Sequence, residues 1–180
     1  MTAPAEPPLL ASPAELARLL GVPETDPDML DALRNASRRF RGAVHHSVHR
    51  VEGDEVWLDG DGSTELFLPA APVLARPVVE VDGRALASGE FEWSRKGILR
   101  RHCGWPDRLD AVRVVYDHGY DPIPEDVQEA VLEQAQIMSG RAPGVRTVQA
   151  GGESVTYEAG VSAQWTATVE AYRVGRGDRA

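Results

Sequence analysis

The spacing of apolar residues along this chain changes twice, from helical to strand-like and back to helical. Apolar side chains recur every three or four residues in segments 12–20 and 27–46, and again in 124–139. Between about 48 and 116 the apolar runs are short and follow a period of two, which is typical of β-strands. The pattern predicts an α+β fold: a helical bundle core with an inserted small antiparallel β-sheet, followed by an extended C-terminal arm.

Proline and polar residues mark where the first two helices begin. Ser12 to Glu15 reads as a capping box with Pro13 at the first helical position, and Asp26 followed by Pro27 repeats the arrangement. Residues 1–11 contain three prolines and no periodicity, which predicts a disordered arm. The main domain is therefore expected to span 12–140.

The segment Tyr116–Met138 is expected to join the inserted sheet to the third helix. A structural junction is predicted at Gly119, Tyr120, Asp121, Pro122 and Pro124, where Pro124 suits the first helical position because it has no N–H to leave unpaired. The apolar face of the helix is predicted to consist of Val127, Ala130, Val131, Gln134, Ala135 and Met138. Ser139 and Gly140 are expected to end it.

Short apolar runs separated by turn residues define the strands of the insertion. The runs 56–58 and 66–68 flank D-G-D-G-S-T and predict a β-hairpin. Further strands are expected at 78–81 before an Asp82-Gly83 turn, at 91–93 and 98–100, and at 112–116. In the arm, 141–180, a second hairpin is predicted from 145–148 and 154–157, with a short helix after Ser162.

Composition excludes several classes of protein. The net charge is −9, with 28 acidic and 19 basic residues, which argues against nonspecific binding to nucleic acid. A single cysteine, Cys103, excludes an intrachain disulfide and a multi-cysteine zinc site. No apolar run is long enough to span a membrane, and residues 1–8 lack the features of a signal peptide. We therefore expect a protein without a membrane partner.

Three motifs with possible chemistry have simpler structural explanations. His45, His46 and His49 form H-H-x-x-H, and His45 with His49 would share a helix face as metal ligands do, but the glutamate of the zinc-protease motif is absent. The sequence D-G-D-G-S-T-E at 59–65 departs from a calcium loop at its sixth and twelfth positions. His102 and Cys103 are adjacent, so on a strand they would point to opposite faces.

No phosphate-binding glycine loop and no nucleophile elbow is present in the sequence. The chain is therefore predicted not to be an enzyme, with no catalytic, cofactor-binding or metal residues. Two alternatives remain open: a small metal-dependent enzyme using His45 and His49, and a DNA-binding or regulatory module built on the arginine-rich second helix.

Aromatic and apolar residues in the insertion and the arm are candidates for contacts between subunits. Aromatic side chains often anchor interfaces, although the same residues could cover a thin sheet or a short helix within one subunit. The interface candidates are Trp57, Phe67, Trp93, Tyr157, Trp165, Val169 and Tyr172.

Several phrases are informative when they are taken together: A-S-R-R-F-R in the second helix, W-L-D-G-D-G-S-T-E-L-F-L-P-A-A-P-V, then V-E-V-D-G, V-V-Y-D-H-G-Y-D-P-I-P-E-D-V-Q-E-A-V-L, V-R-T-V-Q-A-G-G-E-S-V-T-Y-E-A-G and a final E-A-Y-R. With these phrases the chain resembles the head-to-tail connector adaptor family of tailed bacteriophages. The resemblance covers about Ser12 to Arg173.

The resemblance implies a structural virion protein at the head–tail interface, made in the cytoplasm of the bacterial host. It implies a homo-oligomeric ring, usually of twelve copies, that joins the portal to the tail and continues the DNA channel. The implied partners are further copies of the chain, the portal protein and a tail-proximal stopper or tail terminator protein, while DNA passes through without sequence-specific binding. Portal contact is expected from Val145 onward.

Overall fold

The computed structural model describes residues 7–140 and 162–173. The chain divides into two units. The helical unit consists of residues 7–44, 123–140 and 162–173, and the β unit consists of residues 45–122. The α+β class predicted from the sequence is confirmed. The insertion is longer than the predicted 48–116, because it begins directly after the second helix and ends at Pro122.

Four helices form the described part of the helical unit: α1 (Pro13–Leu20), α2 (Pro27–Val44), α3 (Glu125–Met138) and α4 (Ala163–Tyr172). The central helix is α2, which packs against each of the other three. It is shorter than the predicted 27–46 because His45 takes a left-handed conformation with φ 64°, which ends a right-handed helix. No helix in the described part of the chain is both long and apolar enough to cross a membrane.

The core of the helical unit extends to residues that the sequence pattern assigned to a disordered arm. Leu10 and Ala11 are buried, and the Leu10 amide donates to the Ser37 hydroxyl at 3.2 Å. The predicted disordered arm, residues 1–11, is therefore too long. The composition of this segment does not reveal the contact that Leu10 makes with α2. The other large buried side chains include Leu16, Met29, Leu33, Phe40, Val44, Val127 and Val131.

The helix starts are close to those predicted, but the caps differ in detail. Asp26 caps α2, since its Oδ1 accepts from the Met29 amide at 2.9 Å. Ser12 lies at the N-cap of α1 without a side-chain capping bond, so the predicted capping box is wrong. Pro124 is the N-cap of α3 and not its first residue. Ser162 caps α4 as predicted, accepting from the Trp165 amide at 3.0 Å.

Seven strands form the β unit: β1 (Val51–Gly60), β2 (Glu65–Phe67), β3 (Val78–Val81), β4 (Arg84–Ala85), β5 (Glu92–Trp93), β6 (Ile98–Arg100) and β7 (Arg108–His118). They form two antiparallel sheets, one in the order β1-β7-β3-β4 and the other in the order β2-β6-β5. The insertion therefore contains two small antiparallel sheets, whereas the sequence pattern predicted one.

The predicted hairpin between 56–58 and 66–68 does not form. Val56 pairs with Val114 of β7, whereas Leu66 pairs with Leu99 of β6. The chain leaves the first sheet at Gly60, where a Cβ would lie 1.9 Å from the Pro106 carbonyl oxygen. The long strand β7 offers β1 many more backbone partners than the three-residue β2 could, so the distant pairing prevails.

Two other predicted strand pairs are present. Asp82 and Gly83 form a two-residue turn with φ of 53° and 78°, and Val81 pairs with Arg84 across it. Two consecutive positive φ angles suit the right-handed twist of a hairpin. Trp93 pairs with Leu99 in the second sheet.

One apolar cluster fills the β unit and receives side chains from both sheets. Its buried members are Leu66, Leu68, Ala70, Val73, Val79, Val81, Phe91, Leu99, Trp105, Ala111, Val112, Val114 and Tyr116. Because alternate residues of β7 enter this cluster, the intervening residues point to the opposite face of the first sheet. That opposite face is the basis of the candidate surface described next.

Candidate assembly surface

The structural junction depends on a glycine that no other residue could replace without strain. Gly119 has φ 95°, and a Cβ at this position would lie 2.3 Å from the His49 carbonyl oxygen. The Gly119 amide donates to the Pro72 carbonyl at 3.0 Å, and Tyr120 exchanges backbone bonds with Val48 and Arg50 at 2.8 and 3.0 Å. This close approach fixes the chain just before it leaves the β unit.

The remainder of the junction starts α3. Asp121 and Pro122 are exposed, and the bond between them is cis. The Pro124 carbonyl accepts from the Gln128 amide at 3.0 Å, and Asp126 Oδ1 accepts from its neighbouring Val127 amide at 2.9 Å. Glu125 and Asp126 lie in the first turn of α3, where the positive end of the helix dipole favours negative charge.

An exposed face of the first sheet carries one of the candidate interface residues. We call it the outer face and define it by Glu55, Trp57, Val78, Glu80 and Arg113. Arg113 pairs with Trp57 on one side and Glu80 on the other, while Glu55 and Val78 flank Val115 in the next row. Paired residues in neighbouring strands lie on the same face. Trp57 and Val78 are each 57% exposed.

Arg113 holds the outer face in one arrangement. Its Nη2 lies 2.8 Å from Glu55 Oε2, and its Nη1 lies 3.0 Å from Glu80 Oε2. The hydrogen bonds that Arg113 donates to the Glu55 and Glu80 carboxylates raise the pKa of Arg113, and the bond from Arg113 lowers the pKa of Glu55. Ion pairs this exposed add little stability. Their effect is to order a surface that presents an indole ring beside a fixed charge network.

The remaining candidates in the β unit differ in exposure. Phe67 is 47% exposed on β2. Trp93 is half-buried and packs against the apolar cluster of the β unit. Trp105, another aromatic residue of the insertion, is buried in that cluster. Trp57 and Phe67 are therefore the aromatic residues of this unit with the most surface available to a partner.

Trp165 and Val169, two further interface candidates, do not lie on the surface of the chain. Both are buried, and the Trp165 ring meets the Phe40 ring edge to face with centroids 5.2 Å apart. Their side chains are covered within a single chain because α4 lies against α2. Tyr172 is half-buried, and its hydroxyl donates to Asp126 at 2.8 Å. Tyr157 and the predicted hairpin of 145–157 lie outside the described residues.

The histidines of the H-H-x-x-H motif do not share a helix face. Since α2 ends at Val44, the four-residue spacing of His45 and His49 has no helical meaning. His45 and His46 instead line a hollow of about 190 Å³ together with Asp54 and His118. Within the parts of the chain that the structure describes, no group of three or more His, Cys, Asp or Glu side chains is arranged to hold a metal ion.

His118 is the most buried ionisable group near this hollow, at 2% exposure. Its Nε2 lies 3.1 Å from Asp54 Oδ2, and because a carboxylate can only accept, Nε2 carries the proton. Burial lowers the pKa of His118 against the opposing effect of Asp54. The imidazole is therefore held neutral as a structural donor. The sequence motif did not reveal it, because His118 lies far from the other histidines in the chain.

The three carboxylates of the D-G-D-G-S-T-E segment bond to other groups of the chain. Asp61 Oδ1 accepts from the Ser63 amide at 3.0 Å, and Asp59 Oδ1 accepts from the Asp110 amide at 2.8 Å. Glu65 pairs with Arg100 at 2.5 Å. Cys103 is exposed in a turn, with its Sγ 3.8 Å from the Gly104 carbonyl oxygen.

A helical unit with a β insertion of this arrangement is the fold of neck proteins from phage-like particles. The chain aligns over 100% of its length with 98% of a chain from "Neck of empty GTA particle computed with C6 symmetry", at 18% identity and a TM-score of 0.57. It covers 97% of a chain from "Neck of native GTA particle computed with C12 symmetry", at 19% identity and a TM-score of 0.55, again over its whole length.

A third solved structure, "Virion of native gene transfer agent (GTA) particle", contains a chain with 18% identity and a TM-score of 0.53. There the alignment covers 98% of this chain and 94% of the other. No protein-family model matches the sequence, and no curated protein matches it either. At this identity the similarity defines the fold, and the sequence resemblance to neck and connector proteins is confirmed at that level.

Proposed function

We propose that this chain is a structural subunit of the neck of a phage-like particle. The observation that carries the proposal is the match of the whole chain to nearly whole neck chains, including both the helical unit and the β insertion. Fold alone does not define function. Here the fold agrees with sequence phrases typical of connector adaptors.

In the proposed assembly, copies of the chain form a ring that joins the portal to the tail. The neck chains of similar fold come from particles solved with C6 and C12 symmetry, which supports a ring of twelve copies. A net charge of −9 would favour a channel that repels the phosphate backbone, so that DNA slides without adhering. The role needs no catalytic residue and no cofactor.

The outer face of the first sheet is the surface we assign to contacts in the neck. Trp57 supplies a large exposed ring beside the ordered network of Arg113, a combination of apolar area and fixed charge that suits protein interfaces. Phe67 is a second exposed aromatic anchor. The portal and a tail-proximal stopper or terminator are the remaining partners, and Val145 onward is the segment proposed to meet the portal.

Binding to portal-bearing, tail-less particles tests this function. The purified chain is mixed with the particles, and bound protein is quantified after sedimentation. We expect saturable binding at twelve copies per portal vertex. Trp57→Ser should weaken it, whereas Leu19→Ser, which changes an apolar side chain of α1 that is 46% exposed, serves as the matched control.

Absence of binding by the wild-type chain would contradict the neck function. Equal binding by Trp57→Ser and Leu19→Ser would leave the function standing and remove the outer face from the interface.

A further inference from the structure

A positively charged groove runs along α2 in a chain that is otherwise strongly acidic. Arg34, Arg38 and Arg41 lie at positions i, i+4 and i+7, so they form one stripe on the helix surface. The rise of an α-helix separates them by about 6 and about 4.5 Å along the axis. Pro7 and Leu9 line the groove beside the stripe, and its volume is about 480 Å³.

The three guanidinium groups are held in place by the chain itself. Arg34 Nη1 donates to Asp31 Oδ1 at 2.7 Å, and Arg38 Nη2 donates to Asn35 Oδ1 at 2.8 Å. Arg41 Nη2 donates to the Pro8 carbonyl. A guanidinium has five N–H donors in a rigid fork. An anchored guanidinium such as that of Arg38 therefore retains donors for an acceptor from outside.

The arginines that line the groove outnumber the carboxylates that could balance their charge. Asp31 is the one carboxylate among the residues that line it, against three arginines. Arg41 is half-buried, and its Nε has no hydrogen-bond acceptor among the described residues. Burial lowers the pKa of Arg41, because removal from water disfavours the charged form of the guanidinium. An anion in the groove would offset that cost.

The charge of the chain indicates what kind of group would bind in the α2 groove. The chain carries 28 acidic residues and a net charge of −9, so copies of it repel one another except where a basic surface meets an acidic one. The same net charge opposes binding to the phosphates of DNA. We propose that the α2 groove holds a carboxylate-bearing segment of a second copy of this chain, the neighbour in the ring.

This assignment rests on the proposed ring and adds to it a specific contact. Arg38 is the residue that decides it, because its side chain lines the groove and is exposed. Arg39 is the matched control, since it is also exposed on α2 but does not line the groove. Successive residues of a helix do not face the same direction.

Sedimentation velocity of the full chain over a range of concentrations and salt measures the contact. We expect Arg38→Glu to raise the dissociation constant of assembly at least about tenfold at low salt, and Arg39→Glu to change it by less than about twofold. Circular dichroism of both variants should match the wild type, because neither side chain is buried.

A cross-linking experiment identifies the partner carboxylate. Lys96 is the only lysine of the chain, so Arg38→Lys combined with Lys96→Arg leaves one side-chain amine, located in the groove. A carbodiimide should then join it to an aspartate or glutamate of another copy, found by mass spectrometry of mixed isotope-labelled chains. Arg39→Lys combined with Lys96→Arg should give no such interchain product.

Several outcomes would overturn the groove assignment. If Arg38→Glu and Arg39→Glu assemble as the wild type does, the groove does not contribute to the ring, although the ring itself stands. If Arg38→Glu leaves assembly unchanged but abolishes binding of duplex DNA, the groove is a phosphate site. A wild-type chain that stays monomeric with and without portal particles would contradict both the ring and the groove.

Discussion

The helical unit and the β unit are stabilised by contacts of different range. In the helical unit, backbone hydrogen bonds are local and the helices meet through apolar side chains such as Phe40 and Trp165. In the β unit, β7 pairs with β1 about 60 positions earlier in the chain, and glycines allow close backbone contacts. Substitutions should therefore act through lost packing in the first unit and through backbone geometry in the second.

The two units also present different surfaces. The helical unit has a basic groove beside Arg38, while the β unit has an outer face with Trp57 and a charge network. A subunit of a ring needs two different surfaces, because a heterologous contact joins one patch to another. We therefore expect substitutions at these surfaces to alter assembly without a large change in stability.

Trp165→Ala should have the largest effect on stability. It removes a buried ring from the Phe40 contact and should lower the free energy of unfolding by about 3 to 5 kcal/mol. Trp57→Ala, at an exposed ring, should cost less than about 1 kcal/mol and should instead weaken assembly. Urea unfolding and sedimentation of both variants separate the two roles. Similar losses of stability would remove the distinction between core and surface tryptophans.

Gly119→Ala should have the next largest effect on stability. It should lower the free energy of unfolding by about 2 to 4 kcal/mol, because the position combines a positive φ with a collision between the added Cβ and the His49 carbonyl. Gly83→Ala is the matched control: its φ is also positive, at 78°, but nothing lies within 4 Å of the added Cβ. Gly83→Ala should lower the free energy of unfolding by only about 1 kcal/mol. Thermal and urea unfolding measure both, and equal losses would show that the close approach at the junction is not important.

Gly42→Ala should stabilise the chain by about 0.5 to 1 kcal/mol, because alanine restricts the unfolded chain and favours helix. Gly42 lies within α2 and has open space around the position of a Cβ. A rise in the urea midpoint without a change in the slope is the expected result. A loss of stability would indicate that α2 is constrained at this position by contacts absent from the single chain.

The smallest expected effect is a dependence of stability on pH through His118. Its pKa is lowered by burial, so the folded state binds fewer protons than the unfolded state just below the ordinary histidine pKa. Stability from this group is complete above about pH 6.5 and decreases as the pH falls further. The charged or titratable groups acting on it are Asp54, Asp117 and His46.

Urea unfolding between about pH 7.5 and about pH 5.5 measures this contribution. His118→Gln, which can still donate to Asp54 but does not titrate, should flatten the dependence. An unchanged slope in the variant would assign the pH dependence to other groups.

The sequence predicted the helical unit better than the β unit for a physical reason. The spacing of Val127, Ala130 and Val131 and the cap at Asp26 are local signals, and the structure confirms them. The pairing of β1 with β7 depends on residues far apart in the chain, which periodicity cannot register. The hairpin drawn between neighbouring runs was wrong for that reason.

The candidate surfaces were predictable only in part. The exposure of Trp57 follows from strand alternation, whereas the burial of Trp165 depends on the position of α4 against Phe40. The arginine-rich surface of α2 is evident from the sequence, but its groove is not. Pro7 and Leu9, which line it, belong to a segment whose composition predicts disorder.

Cryo-electron microscopy of portal-bearing, tail-less particles incubated with the purified chain tests the central claim most directly. The account predicts a ring of density beneath the portal, with one chain of this fold in each of twelve positions. Particles that show no additional density at the portal vertex, or single chains bound elsewhere on the capsid, would contradict it.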